Sequence, residues 1–220
     1  MLLANGFEPA NFAIEPHRYN IQHGGREIPI DRFALRYIGN MLPLFCFAQS
    51  DALAWYKTLP AQWQNALRHN KCDVTNAASI QAFLNTQAQF TVFFETTEAD
   101  AIRQHTINDL KPLLKFKNLT KLYINEIDVK NYAALAKMRN LTLLEVQMSP
   151  FSDKEMCYLK KMKNLTRLNI AQTRVTSLQP IAKLTHLEMV LCMETAIPRE
   201  KIAEFAKLLP KKCRIVRDYL

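Results

Sequence analysis

The side chains best placed to do chemistry in this sequence are basic. Lys115 and Lys117, Lys137 and Arg139, Lys161 and Lys163, and Lys183 recur around an apolar residue at intervals of 22, 24 and 22 residues. Like charges repeated in register suit an anionic glycan or lipid headgroups, or else a solvated edge that only aids solubility. Three Asn-Leu-Thr triplets, at Asn118, Asn140 and Asn164, match the glycosylation acceptor pattern. They recur at the same intervals, and Asn at a turn has backbone-bonding work of its own, so they read as structural. His17 and His23 are two ligands without a third. His105 and His186 have no carboxylate or nucleophile arranged with them. The five cysteines, at 46, 72, 157, 192 and 213, include no C-x-x-C and are odd in number, so neither a zinc site nor a disulfide framework is expected.

No glycine-rich phosphate loop, metal triad or nucleophile motif is present. No catalytic residue, metal or cofactor is therefore expected. The rival is an enzyme whose groups are scattered through residues 1–110. A purely structural module is a third reading.

The same intervals govern the apolar residues. Phe116-Lys-Asn-Leu119-Thr-Lys-Leu122-Tyr-Ile124 aligns with the segments beginning at Met138, Met162 and Leu184. Within each, L-x-x-L-x-L places alternate side chains of a short strand on one face. Apolar residues then follow every third position, as Val175, Leu178 and Ile181 do, which suits a tight 3₁₀-like turn on the opposite side. One such coil cannot cover its own apolar residues, whereas stacked coils bury them in a continuous core. The second coil carries two extra residues between Phe151 and Met156, expected as an outer loop.

This pattern resembles the leucine-rich repeat family, in its 22-residue bacterial class. The resemblance covers about 100 residues. It implies an α/β fold: a right-handed solenoid with a short parallel sheet on its concave side. The position the family usually gives to Asn is held here by Ile127, Ser149, Thr173 and Thr195. Ser and Thr can partly replace its backbone bonding, and Ile cannot.

Three regions are expected. Residues 111–220 form the repeats with a C-terminal cap, in which 199–209 is a helix presenting Ile202, Phe205, Ala206 and Leu209 on one face, ended by Pro210 and followed by a last strand through Ile215 and Val216. Residues 49–110 form a helical N-terminal cap. Short helices over 51–56 and 60–69 carry Trp55 and Trp63, an entry that resembles the cap of certain bacterial leucine-rich repeat proteins, and Phe90 to Phe94 reads as a degenerate first strand. Residues 1–48 lack clear periodicity, with a turn at Gly24-Gly25. Arg32 and Arg36 precede the apolar run 41–48, which reads either as an export signal cleaved before Gln49, with its start near residue 30, or as a buried segment. The first alternative implies an exported or periplasmic protein and the second a cytoplasmic one. The run is too short to span a membrane, so no transmembrane segment is expected.

Residues alternating with the core leucines should make three ladders on the concave sheet. They are Lys121, Leu143, Arg167 and Met189; Tyr123, Glu145, Asn169 and Leu191; and Asn125, Gln147, Ala171 and Met193. Met189, Leu191 and Met193 would form an apolar cluster that is either an interface or covered by Tyr219-Leu220. The expected function is a non-catalytic scaffold holding a protein or peptide on this face. The alternative partner is an anionic glycan or lipid on the basic edge. Residues 111–220 have a net charge of +11 and residues 1–110 of −2. Tyr123 alone offers an aromatic on the ladders, which argues against nucleic acid.

Overall fold

The computed structural model describes the backbone of residues 14–15, 18–23 and 26–29, and backbone and side chains of residues 52–92 and 106–218. The chain divides into two compact units, Met1–Asp51 and Ala52–Leu220. In the first, β1 (Ile14–Glu15), β2 (Arg18–His23) and β3 (Arg26–Pro29) pair antiparallel in that order. His23 pairs with Arg26, and these strands were not foreseen; the turn expected at Gly24-Gly25 lies outside the described residues. The signal-like stretch 32–48, His17, His105, Phe93, Phe94 and Tyr219-Leu220 lie outside the described residues.

The second unit is a leucine-rich repeat solenoid. Its six-stranded parallel sheet runs β4 (Gln89–Thr91), β6 (Lys121–Tyr123), β8 (Leu143–Glu145), β9 (Arg167–Asn169), β10 (Met189–Leu191) and β11 (Arg214–Val216). A second, two-stranded parallel pair joins β5 (Thr106–Ile107) to β7 (Asp128–Val129). Register is unbroken across the main sheet. Phe90, Leu122, Leu144, Leu168, Val190 and Ile215 stand opposite one another, and the first five are fully buried. Opposite the strands, 3₁₀ turns at Lys111–Lys115, Ala133–Lys137, Cys157–Lys161 and Gln179–Ile181 supply Leu113, Leu135, Leu159 and Ile181 to the same core.

Each coil turns away from its strand at a non-glycine residue with positive φ: Glu126, Met148, Gln172 and Glu194, at 62°, 53°, 54° and 51°. A Cβ in this region costs roughly 1 kcal/mol. The cost is offset by extending the ladder, for the amides of Glu126, Met148 and Gln172 donate to carbonyls of the next coil at 2.8–3.0 Å. The following residue closes the turn. Ser149, Thr173 and Thr195 donate their hydroxyls to the carbonyls of Val146, Ile170 and Cys192 at 2.6, 2.6 and 2.8 Å. Ile127 is buried there instead and has no hydroxyl to give. Thr173→Val keeps the shape and leaves the Ile170 carbonyl without this donor. Its unfolding free energy, read from a urea transition, should drop by about 1–2 kcal/mol. A drop below about 0.3 kcal/mol would show that the hydroxyl does not hold the turn.

The two extra residues of the second coil are a helical turn, α4 (Asp153–Met156), and not the loop expected from the sequence. The Ser152 amide donates to Glu155 Oε2 at 3.1 Å, and that carboxylate also accepts from the Ser152 hydroxyl at 2.5 Å, as an S-x-x-E start favours. The turn is bound to the next coil. Asp153 accepts from the amides of Thr176 and Ser177 at 2.9 and 3.1 Å and from the Thr176 hydroxyl.

The N-terminal cap holds three helices: α1 over 52–58, α2 (Ala61–His69) and α3 (Ala77–Thr86). α3 was not read from the sequence. Asn76 caps it by accepting from the Ser79 amide at 2.9 Å. Trp63 stacks on Phe90 at 6.4 Å between centroids, and Phe90 meets Phe116 edge-on at 5.0 Å, so cap and first coil share one aromatic core. Asn70 faces the free edge of β4. Its Oδ1 accepts from the Thr91 amide at 2.9 Å and its Nδ2 donates to the Thr91 carbonyl at 2.7 Å, as a neighbouring strand would. At the other end α5 (Arg199–Leu208) buries Phe205 and Leu209 and half-buries Ile202, while Ala206 is exposed, contrary to the expected four-residue face.

Candidate binding face

Strand pairing aligns the residues of the first two ladders and lengthens both. Gln89, Lys121, Leu143, Arg167, Met189 and Arg214 make one file, and Thr91, Tyr123, Glu145, Asn169, Leu191 and Val216 the next. Asn125, Gln147, Ala171 and Met193 follow the strands as the third. Gln89, Thr91, Arg214 and Val216 were missed as members of the face. The repeat alignment stopped at the four regular coils, and only the register brings in the two irregular end strands.

The files differ in what they offer. Lys121 and Arg167 are exposed, while Leu143, Tyr123, Glu145, Leu191, Asn125, Gln147, Met189 and Met193 are half-buried. Asn169 and Ala171 stand on the files but are only 5% and 3% exposed. Asn169 is spent internally: its Oδ1 accepts from the Ala171 amide at 3.1 Å and its Nδ2 donates to Gln147 Oε1 at 2.9 Å. Asn125 Nδ2 approaches Glu145 Oε2 at 3.4 Å. The middle of the face thus holds two cross-strand polar pairs. At its C-terminal end Met189, Leu191 and Met193 lie beside Val216, with an Arg167 guanidinium N–H 3.4 Å from the Met189 sulfur. Beneath them Cys192 is buried, which pushes its thiol up to about 11 and makes it a packing residue rather than a nucleophile.

The seven basic residues flanking Phe116, Met138, Met162 and Leu184 are all exposed, and those four neighbours are all buried. The adjoining Asn-Leu-Thr triplets do structural work. Thr120, Thr142 and Thr166 each donate a hydroxyl to a carbonyl of the preceding coil at 3.1, 3.1 and 2.9 Å. Asn118 and Asn164 donate their amides to the carbonyls of Asn85 and Arg139 at 2.5 and 3.5 Å, and His186 Nδ1 sits 2.9 Å from the Lys163 carbonyl. Elsewhere, Trp55, Leu59, Pro112 and Leu114 line an open cavity of about 460 Å³ together with Asp109, Lys111 and Lys115. Nothing in the spacing of these residues announced it. Among the described residues no group of three His, Cys, Asp or Glu side chains could hold a metal ion, and no helix is long and apolar enough to cross a membrane.

No family profile matches the chain, and no curated protein matches it by sequence. Solved structures similar to it include internalin F of Listeria monocytogenes, at 21% identity over 50% of this chain and 31% of that one, with a TM-score of 0.43. Internalin C2 of the same organism is 20% identical over 66% of this chain and 57% of that one, with a TM-score of 0.48. A leucine-rich repeat protein of Leptospira interrogans is 19% identical over 49% and 27%, with a TM-score of 0.42. The chain spans less than two thirds of the length of each. The leucine-rich repeat architecture stands on this chain's own register and core.

Proposed function

We propose that the protein is a non-catalytic scaffold that holds a protein or peptide on the concave sheet. The observation that carries this reading is the half-buried run Met189, Leu191, Met193 beside cross-strand polar pairs. Apolar side chains clustered on a solvated face mark interfaces, and Met adapts to irregular partners. The Asn169 side chain is already bonded to Gln147 and to the Ala171 amide, so it needs no ordering by a partner. The apolar cluster would anchor the partner, and Lys121, Tyr123, Glu145 and Arg167 would fix its direction.

The test is capture from native extract with wild-type protein and with Tyr123→Ala, Arg167→Glu, Leu191→Asp combined. Arg167 is exposed, and Tyr123 and Leu191 are half-buried on the outer face of the sheet, away from the core, so the variant should keep its circular dichroism spectrum. A partner held by the wild type should be lost by the variant, and its binding should change little with ionic strength. A partner retained by both, or none captured at all, would overturn the reading.

A further inference from the structure

We infer that the basic edge is a second, independent binding surface, and that its ligand is a linear acidic polysaccharide lying along the stacking axis. Lys117, Lys137, Arg139, Lys161, Lys163 and Lys183 are exposed and, among the described residues, form no ion pair. Other lysines in the repeats do find acids, as Lys130 does Asp128 and Lys212 does Glu188. The repeats' acids stand elsewhere. Glu145 is on the concave sheet, Asp153 caps the turn at Thr176, and the Glu188 carboxyl is held below its usual range by the hydrogen bond and charge of Lys212. Among the described residues these six cations therefore have no acid paired with them, and a polyanion would relieve their mutual repulsion.

Its geometry selects among polyanions. The coils pair in continuous parallel register, so successive cation pairs step about 5 Å along the stack. In each of the first three coils the two cations flank one buried residue, making two parallel files. A chain of linked pyranose uronates presents a carboxylate at a comparable step. Beside these files runs a third, of exposed Asn118, Asn140, Asn164 and His186. The amide nitrogens of Asn118 and Asn164 are engaged with the preceding coil, which leaves their carbonyl oxygens to accept from ring hydroxyls. Nucleic acid would call for stacking surfaces, and no aromatic stands in these files. A bilayer would favour several exposed apolar side chains among the cations, and among the described residues only Leu114, beside Lys115, is an exposed large hydrophobic there.

The experiment is calorimetric titration of the full chain with oligogalacturonate across a salt series. Neutral dextran, polyglutamate, phosphatidylserine vesicles and oligothymidylate are run in parallel. Oligogalacturonate should bind most tightly of the five, with affinity falling linearly against log salt. Lys137→Glu, Arg139→Glu, Lys161→Glu combined should weaken it at least about tenfold, and the matching Gln variant by several-fold. Exposed Lys57, Lys154 and Lys207 changed to Glu alter net charge equally and should leave affinity within about twofold. Equal losses in edge and control variants would reduce the edge to non-specific charge and overturn the proposal. So would absence of binding at low salt, or vesicles, polyglutamate or oligothymidylate binding as tightly. The concave-face triple variant should still bind oligogalacturonate, so the two surfaces fail or stand separately.

Discussion

Phe90→Ala should cost about 4 kcal/mol of unfolding free energy, at the large end for a single truncation. Phe90 is fully buried, pairs in register with Leu122, stacks on Trp63 and meets Phe116 edge-on. The cavity left behind has little room to collapse, because the ladder fixes β4 on β6 and α2 packs above through Trp63. Phe90→Leu fills most of that volume and should cost less than about 1.5 kcal/mol. Urea unfolding of both variants, followed by Trp63 fluorescence, checks this. If the two variants lose the same amount, or Phe90→Ala loses less than about 1 kcal/mol, the cap does not share the repeats' core.

Asn70→Ala should cost about 2–3 kcal/mol, although it removes no apolar packing. It strips partners from both the amide and the carbonyl of Thr91, and also removes the Nδ2 bond to the Ala66 carbonyl at 2.7 Å. The bared edge is a template for another strand, so concentration-dependent association should appear in sedimentation. Asn70→Asp sharpens the test. Its protonated carboxyl can both donate and accept as the amide does, whereas the carboxylate repels the Thr91 carbonyl. The folded-state pKa of that Asp is therefore raised above its unfolded value. The folded state holds more protons, and stability relative to the wild type should be greatest below about pH 4 and fall as pH rises through the folded pKa. A flat pH profile, or a full-strength Asn70→Ala protein, would show that Asn70 does not seal the edge.

The parts of this fold that repeat were legible, and those that occur once were not. Leu-x-x-Leu-x-Leu returned at the same offset often enough to give strand, register and core together, and every Leu it assigned inward is buried. α3 escaped because Ala77 to Thr86 is mostly small or polar, and only Ile80 and Leu84 are buried along it. Its one local signal was Asn76 ahead of Ala-Ala-Ser. α4 escaped because two residues added to a known coil read as slack, although Ser152 and Glu155 stood at the spacing of a helix start. On the sheet, alternation gave the two files that strand pairing aligns. It could not show that Asn169 and Ala171 are closed off, because that depends on a hydrogen bond from one strand to the next. Asn70 left no mark, since one amide bonding a strand twenty-one residues away has no spacing to recognise.

The joints between coils are chemically alike. The amides of Thr142, Thr166 and Glu188 donate to the carbonyls of Thr120, Thr142 and Thr166 at 2.7, 2.8 and 2.8 Å. A joint that does not depend on which coil it follows lets a gene gain or lose a whole coil by unequal recombination without disturbing either cap. Concave sheet and basic edge would then lengthen or shorten together, one file position and one cation pair at a time.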